Sequence, residues 1–245
     1  MSAVRHFLVN IFCACIPNKP LRKKMRVMLN SDVIGCVRFI KNDLNKKKIG
    51  HIKFFVGYQA RSLIVSVNNE YVYKFPLRRS DADKLAVREK RIVDALSKIS
   101  PIYVPGVKLL KWNEKIVRKY EHISGVTLSQ MEIDDVINHI SILAPKIAKF
   151  IYDIACADPK EIRDLKPSAS ARPGYCFGWC HGDIADNFIV NPETFDVVAF
   201  IDWEDAGFCD FSYVFTADKR SPRRELMAAV GKEYDKLYNK NNCKK

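Results

Sequence analysis

His181, Asp183, Asn187 and Asp202, in the stretch HGDIADNFIVNPETFDVVAFIDWEDAG (181–207), are the residues whose types and spacing point to chemistry. Phe188-Ile189-Val190 and Val197–Ile201 are apolar, β-prone runs, and Asn191-Pro192-Glu193-Thr194 between them has turn chemistry. The pattern predicts a β-hairpin buried on at least one face. Antiparallel strands share an open end, so this hairpin sets Asn187, before its first strand, beside Asp202, after its second. Asp183 lies four positions before Asn187 in a short polar loop. An amide oxygen and two carboxylates then converge at one mouth. Such hard oxygen donors suit Mg²⁺, whose shell is completed by water and substrate phosphates. Asp and Asn are also common at turns and strand ends for local hydrogen bonding. Their coincidence at one mouth, with His181 two residues before Asp183, favours a site.

HGD-x-x-x-N before an apolar strand, followed by IDWEDAG and Asp210, resembles the kinase-like phosphotransferases. These include the aminoglycoside and choline kinases and, nearest in style, the kinases of bacterial lipopolysaccharide core sugars. The resemblance covers about residues 50–215. It implies an α+β, two-lobed protein-kinase-like fold: a small antiparallel-sheet N-lobe with one helix, and a mostly helical C-lobe carrying the catalytic hairpin. It also implies transfer of the ATP γ-phosphoryl group to a hydroxyl, with Mg²⁺. By resemblance Asp183 is the catalytic base, Asn187 and Asp202 are metal ligands, and His181 braces the loop. The chain departs from the usual pattern in having three residues, Ile184-Ala185-Asp186, where the family's loop has four. Asp186 is therefore an alternative ligand to Asn187.

The elements that must position this loop can be read in order. Residues 1–30 form a basic amphipathic N-terminal segment, 31–120 an N-lobe for the nucleotide, and 121–245 a C-lobe with the catalytic loop, metal site and acceptor side. Strands are expected at Ile52–Val56, Leu63–Val67 and Tyr71–Phe75, with Asn68-Asn69 as a hairpin turn. Gly57, in the first connection, is the one glycine where the family covers the ATP phosphates. Tyr71, Tyr73 and Phe75 alternate to one face, which leaves Lys74 on the other, where a cation needs an anion. The helix after Ser80-Asp81 brings Leu85, Glu89, Ile92 and Leu96 to one apolar face. A carboxylate there needs a partner. Lys74 matches the lysine–glutamate pair of kinase-like proteins, in which the lysine holds the α- and β-phosphates; Arg88 and Arg91 are the alternatives.

Ile102–Leu110 and Lys115–Tyr120 read as two more strands. Glu121, His122 and Ile123 resemble the interlobe hinge, where backbone groups receive the adenine. Asp134-Asp135 opens a helical stretch with Val136, Ile137, Ile140, Leu143, Ile147, Phe150, Ile151 and Ile154 inward, bent or split at Pro145. Residues 163–178 read as a loop whose basic side chains Arg163, Lys166 and Arg172 lead into the catalytic segment. A helix over about 224–238 closes the C-terminal region. It is shorter than in relatives that enclose small acceptors, which favours an open acceptor side.

Lys and Arg number 41 against 28 Asp and Glu, a net charge of +13 that asks for an anionic partner. No aromatic–basic motif of a nucleic-acid reader is present, and no nucleic acid is expected. Val4, Phe7, Leu8, Ile11 and Cys15 share a helical face, and Lys19, Arg22, Lys23, Lys24 and Arg26 follow; such a segment can lie on an anionic bilayer or cap the small lobe. The eight cysteines contain no CxxC pair and read as reduced, buried thiols rather than zinc ligands. No run reaches the ~20 apolar residues of a membrane span.

The expected protein is thus a cytoplasmic Mg²⁺- and ATP-dependent kinase of a carbohydrate hydroxyl, whose N-terminal segment either makes a peripheral contact with the inner face of the membrane or packs on the N-lobe. Its expected acceptor is a lipopolysaccharide core sugar or other lipid-linked glycan. The alternatives are a small-molecule phosphotransferase of aminoglycoside or choline type and a non-catalytic pseudokinase.

Overall fold

Residues 3–45, 48–57, 61–77, 80–156, 159–165, 177–181, 184, 187–210 and 224–242 are described by a computed structural model. The chain divides into two compact units, residues 1–86 with 108–122 and residues 87–107 with 123–245.

In the first unit, Asn68 and Asn69 take left-handed φ angles of 54° and 53°. That conformation matches a tight turn to the twist of its strands, so β2 (Ser62–Val67) and β3 (Tyr71–Pro76) form the expected hairpin. Asn113 and Glu114, with φ of 44° and 60°, do the same for β4 (Val107–Trp112) and β5 (Lys115–Glu121). With β1 (Ile52–Val56) they make a five-stranded sheet of order β1-β2-β3-β5-β4. β4 starts at Val107, not Ile102. Pro101 and Pro105 have no N–H to give a ladder, and Tyr103 forms an isolated bridge to Ala199 in the second unit.

The N-terminal helices are α1 (Ala3–Ala14), α2 (Lys19–Asn30) and α3 (Val33–Asp43). α3 is a second helix beyond the one expected for this lobe. Asp32 caps it by accepting the Gly35 N–H at 2.9 Å. Its Cys36 and Ile40, with Leu44, pack on Leu63, Val65, Val67, Tyr73, Phe75 and Val117 to form the core of the sheet's inner face. Burial pushes the Cys36 thiol up to about 12, with Asp32 adding to it, so this cysteine is inert. Cys13 is also buried, whereas Cys15 and Cys156 are exposed; the expectation of buried thiols fails for those two because each sits on an outward helical face or end.

One polar link ties α3 to the sheet. The Asp43 carboxylate accepts the Tyr73 hydroxyl at 2.7 Å and Lys119 Nζ at 2.6 Å, and Lys119 also lies over the Tyr71 ring at 4.2 Å. Burial alone would raise the Asp43 carboxyl, but the hydrogen bonds from Lys119 and Tyr73 outweigh it and hold the group below its ordinary value. A depressed carboxyl stabilises the fold fully above its unfolded value of about 3.9, and the contribution disappears as pH falls through the lowered folded value. Asp43→Asn is expected to cost about 1–3 kcal/mol at neutral pH, and much less at pH 2–3. Urea midpoints at the two pH values check this; an equal loss at both would show that the charge is not what matters.

The second unit begins within α4 (Ala82–Leu96). Its centre is Phe150 of α6 (Ile140–Cys156), whose ring meets Phe188, Phe200 and Trp203 edge-on at 5.9, 5.0 and 6.1 Å. α6 and the short α5 (Ile133–Asn138) are separated at His139, not at Pro145. His139 Nδ1 donates to the Asp135 carbonyl at 2.7 Å, and the backbone N–H groups of Ile142 and Leu143 turn to the His139 carbonyl, so a new helix starts there. Pro145 then falls early in α6 and removes one intrahelical bond. Ile137 lies outward and is exposed, contrary to the expected inward set. The C-terminal helix α7 (Arg224–Asn242) packs on α6 through Leu226, Met227, Val230 and Tyr234.

Three short strands, β6 (Val126–Thr127), β8 (Phe188–Val190) and β9 (Val197–Phe200), form a sheet of that order. Gly125 precedes β6 with φ of 136°, and a Cβ there would lie 2.7 Å from both the Ile189 side chain and the Val190 carbonyl. Only glycine fits that approach. A second pair joins β7 (Phe177–Cys180) to β10 (Gly207–Asp210), so Phe177 and Gly178 belong to a strand rather than to the expected loop. Lys166 and Arg172 of that loop lie outside the described residues.

Candidate active site

The hairpin predicted from the sequence is present, with Phe188 opposite Phe200 and Ile189 opposite Ala199, and a bulge before the Val190–Val197 pair. Its stacked Phe188 and Phe200 rings, 4.1 Å apart and 6° from parallel, turn into the Phe150 core. The polar residues at its open end are thereby left at the mouth. The Asn187 carbonyl accepts the Ile201 N–H at 3.0 Å, which brings Asn187 alongside the residues leading into Asp202.

Asp202 has a left-handed φ of 64° and ψ of 58°. That conformation is uncommon outside glycine, and asparagine and aspartate tolerate it best. It ends the strand and turns Trp203–Asp205 into a 3₁₀ turn, in which Trp203 is buried and donates its Nε1–H to the Phe200 carbonyl at 2.9 Å.

His181 is 2% exposed. Its Nε2 donates to the Ile201 carbonyl at 2.9 Å, and its ring stacks on Phe200 at 4.0 Å and meets Trp203 at 4.6 Å. The imidazole therefore holds the start of this segment to the residue just before Asp202. Ile184, three residues on, is also buried. Asp183 and Asp186, the expected base and the alternative ligand, lie outside the described residues.

Glu89 is 1% exposed on the apolar face of α4, as its spacing predicts. Within the second unit its carboxylate groups with Asp202 and Glu204, and one oxygen from each lies within 4.8 Å of the others. Three hard oxygen donors so close together fit a divalent cation of the Mg²⁺ type. Glu204 is not among the residues expected from the sequence. Its signal was its place two residues after Asp202, which becomes a shared site only through the left-handed turn. Arg88, offered by the sequence as a partner for Glu89, donates its Nε to the Glu204 carbonyl at 3.1 Å and its Nη2 to the Ala206 carbonyl, so it clamps α4 to the segment that carries the carboxylates. Arg91 forms a fork with Asp164 at 2.9 and 3.2 Å and donates to the Glu161 carbonyl, and that guanidinium holds the Asp164 carboxyl below its ordinary value.

The nucleotide residues expected from the sequence belong to the first unit, with the exceptions of Glu89 and Ile123. Lys74 stands directly opposite Arg118 across β3 and β5, and Arg118 is 5% exposed. Side chains directly opposite in an antiparallel pair share a face, so two cations meet on the face away from α3, an arrangement that favours an anion beside them. Arg118 has no motif to mark it; its alternation along β5 was the available signal. Gly57 donates its N–H to the Ser62 carbonyl at 3.0 Å, closing the β1–β2 hairpin, and a Cβ there would lie 2.3 Å from Ser62 Oγ. Residues 58–60, the remainder of that connection, lie outside the described residues.

In the hinge, Glu121 is the last residue of β5, paired with Tyr71, and the His122 N–H donates to the Glu70 carbonyl at 2.8 Å. That amide is already used within the first unit. Burial, with Lys53 adding to it, holds the His122 imidazole below its ordinary value and therefore neutral at neutral pH.

Among solved structures the chain is similar to wild-type aminoglycoside 2'-phosphotransferase-IIIa in complex with GDP. The TM-score is 0.63 at 18% identity, covering 82% of this chain and 83% of that one. The fold is that of the kinase-like phosphotransferases. A streptomycin–ATP ternary complex of APH(2")-IIa aligns with a TM-score of 0.56 at 15% identity, over 84% of each chain. The macrolide 2'-phosphotransferase MphH from Brachybacterium faecium aligns with a TM-score of 0.56 at 11% identity, over 82% of each chain. No protein-family model and no curated protein sequence matches the chain.

Proposed function

We propose that this protein is a nucleotide-dependent phosphotransferase that moves the γ-phosphoryl group of ATP to an alcohol of a small, polyhydroxylated acceptor. The observation that supports this is the hairpin mouth, where the Asp202 carboxylate groups with those of Glu89 and Glu204 and the Asn187 carbonyl is bonded to the Ile201 N–H, one residue before Asp202. Aminoglycoside and macrolide phosphotransferases of the same fold favour a soluble acceptor over the glycolipid expected from the sequence alone.

Phosphoryl transfer needs little covalent work from the protein, so rate comes from positioning and charge stabilisation. Asp202 and Glu204, with Asn187 beside them, would hold Mg²⁺, which when bound neutralises charge on the phosphate oxygens. Lys74, with Arg118 opposite, would hold the triphosphate. Asp183 accepts the acceptor's hydroxyl proton. His181 is a positioning residue that fixes the loop to Ile201 and the aromatic core.

A lipid-linked carbohydrate, such as a lipopolysaccharide core sugar, is the second reading. It is favoured by the basic N-terminal segment with exposed Leu8, Ile11 and Phe12, which would hold the enzyme at the inner membrane face where such acceptors are made. ADP release should be measured with Mg²⁺–ATP and an aminoglycoside, a macrolide, choline and a dephosphorylated lipopolysaccharide core. Turnover with one of the first three supports the main reading, and turnover with the core alone supports the second. Nucleotide binding without ADP release from any acceptor would overturn both and leave a pseudokinase.

A further inference from the structure

The chain's positive charge is concentrated at one end. Thirteen Lys and Arg residues and only two acidic ones, Asp32 and Asp43, precede Glu70, so this stretch carries +11 of the total +13. No acidic residue precedes Asp32.

The two helices that begin this stretch fold back on one another. Arg22 Nε donates to the Ile16 carbonyl at 2.8 Å and its Nη2 to the Pro17 carbonyl at 3.4 Å. Asn18 caps α2 by accepting the Leu21 N–H at 2.9 Å. Arg22 is thus used inside the turn, while Lys19, Lys23, Lys24 and Arg26 are exposed.

α1 is apolar on two faces. Val9 and Cys13, four apart, are buried. Leu8, Ile11, Phe12 and Cys15, at i, i+3, i+4 and i+7, form a second stripe on the outside. Leu8 is 58% exposed, Ile11 51% and Phe12 57%, and Leu21 at the start of α2 is 48% exposed. A continuous apolar stripe left in water marks an interaction surface. α1 has 12 residues, about 18 Å of helix, too short to cross a bilayer. Among the described residues no helix is long and apolar enough to do so.

The charge selects the occupant. A second copy of the chain would set one strongly basic surface against another. An anionic lipid surface complements the basic side chains and accepts the apolar stripe at the same time. We propose that α1 and α2 form an in-plane docking surface for an anionic bilayer, in which Leu8, Ile11 and Phe12 enter the headgroup–acyl boundary while Lys19, Lys23 and Lys24 rest on the headgroups. This surface stands on its own residues and holds whichever acceptor the enzyme takes.

The test is co-sedimentation of the full chain with vesicles of phosphatidylcholine alone or with about one-third phosphatidylserine, at low and high salt, with nucleotide affinity measured on the same samples. The protein is expected to sediment with the anionic vesicles at low salt, to be released at high salt, and to ignore the neutral ones. Each basic residue near such a surface changes partitioning about five-fold, so Lys19→Gln/Lys23→Gln/Lys24→Gln should weaken it about 10²-fold. Ile11→Ser/Phe12→Ser, which alters exposed side chains at unchanged charge, should weaken it at least about tenfold. Three outcomes would overturn the proposal. The first is no sedimentation of the intact chain with anionic vesicles at low salt. The second is native partitioning of the serine variant. The third is a concentration-dependent dimer that the serine changes abolish while vesicle binding persists, which would make the stripe a self-association face. Loss of vesicle binding with nucleotide affinity retained would separate failure here from failure of the phosphotransferase reading.

Discussion

Asp202→Asn is expected to abolish measurable phosphoryl transfer, weaken divalent-cation binding by at least about 10²-fold, and leave the fold intact. The substitution is chosen for the backbone as much as for the charge. Asp202 sits at φ 64° and ψ 58°, where most side chains are strained, and asparagine is among the few that accept this conformation. The turn that buries Trp203 and carries Glu204 should therefore survive. What changes is one negative charge in a group of three carboxylates whose oxygens lie within 4.8 Å of one another. The native protein should gain thermal stability from Mg²⁺ or Mn²⁺ without nucleotide, since a ligand that binds only the folded state raises its midpoint. The variant should show no such gain, and in EDTA its midpoint should match or exceed the native one because like charges have been thinned. Glu204→Gln should follow the same pattern if Glu204 shares the cation, and should leave the metal-dependent shift intact if it only lines the turn. An undiminished Mn²⁺-induced shift in Asp202→Asn would remove Asp202 from the metal site.

That Asn187 and Asp202 meet at one end of a hairpin is legible in the sequence, while the place of Glu204 is not, and the difference has a physical basis. Period-two alternation and a turn signal define a hairpin locally, and a hairpin alone determines which residues meet at its open end. The same local logic recovered β1, β2, β3 and the burial of Glu89. It failed where the deciding interaction was distant or backbone-specific. β7 pairs with β10 across the whole intervening segment, so Phe177 and Gly178, at the end of a glycine- and proline-bearing stretch, looked like loop. The α5–α6 break follows the His139 bond to Asp135 rather than the proline that the sequence shows. α3 has a legible apolar spacing, Cys36, Ile40 and Leu44, but only its packing on Tyr73 and Phe75 shows that it belongs to the sheet. Glu204 needed the left-handed residue before its turn, and no pattern of residue types announces that.

Asp183→Asn is expected to keep nucleotide affinity within about twofold while turnover falls by roughly 10²–10⁴, the range for removing a positioned base. The case rests on what flanks it. His181 is held at the Ile201 carbonyl and against Phe200, and Ile184 is buried. The residues that flank Asp183 on either side, His181 and Ile184, are therefore anchored in the core. A loss confined to kcat means that the carboxylate acts in the transition state, whereas parallel losses of nucleotide affinity and kcat would make it a structural residue. The short loop adds a second comparison. With three residues between Asp183 and Asn187, either Asn187 or Asp186 can supply the ligand that the longer loop takes from its asparagine. Asn187 has its carbonyl bonded to the Ile201 N–H, one residue before Asp202, so its backbone is already pinned beside the carboxylate group. Asn187→Ala should accordingly weaken the Mn²⁺-dependent thermal shift more than Asp186→Ala does. The reverse order would mean that the tightened loop has handed the metal position to Asp186, and that the asparagine serves only to end the strand.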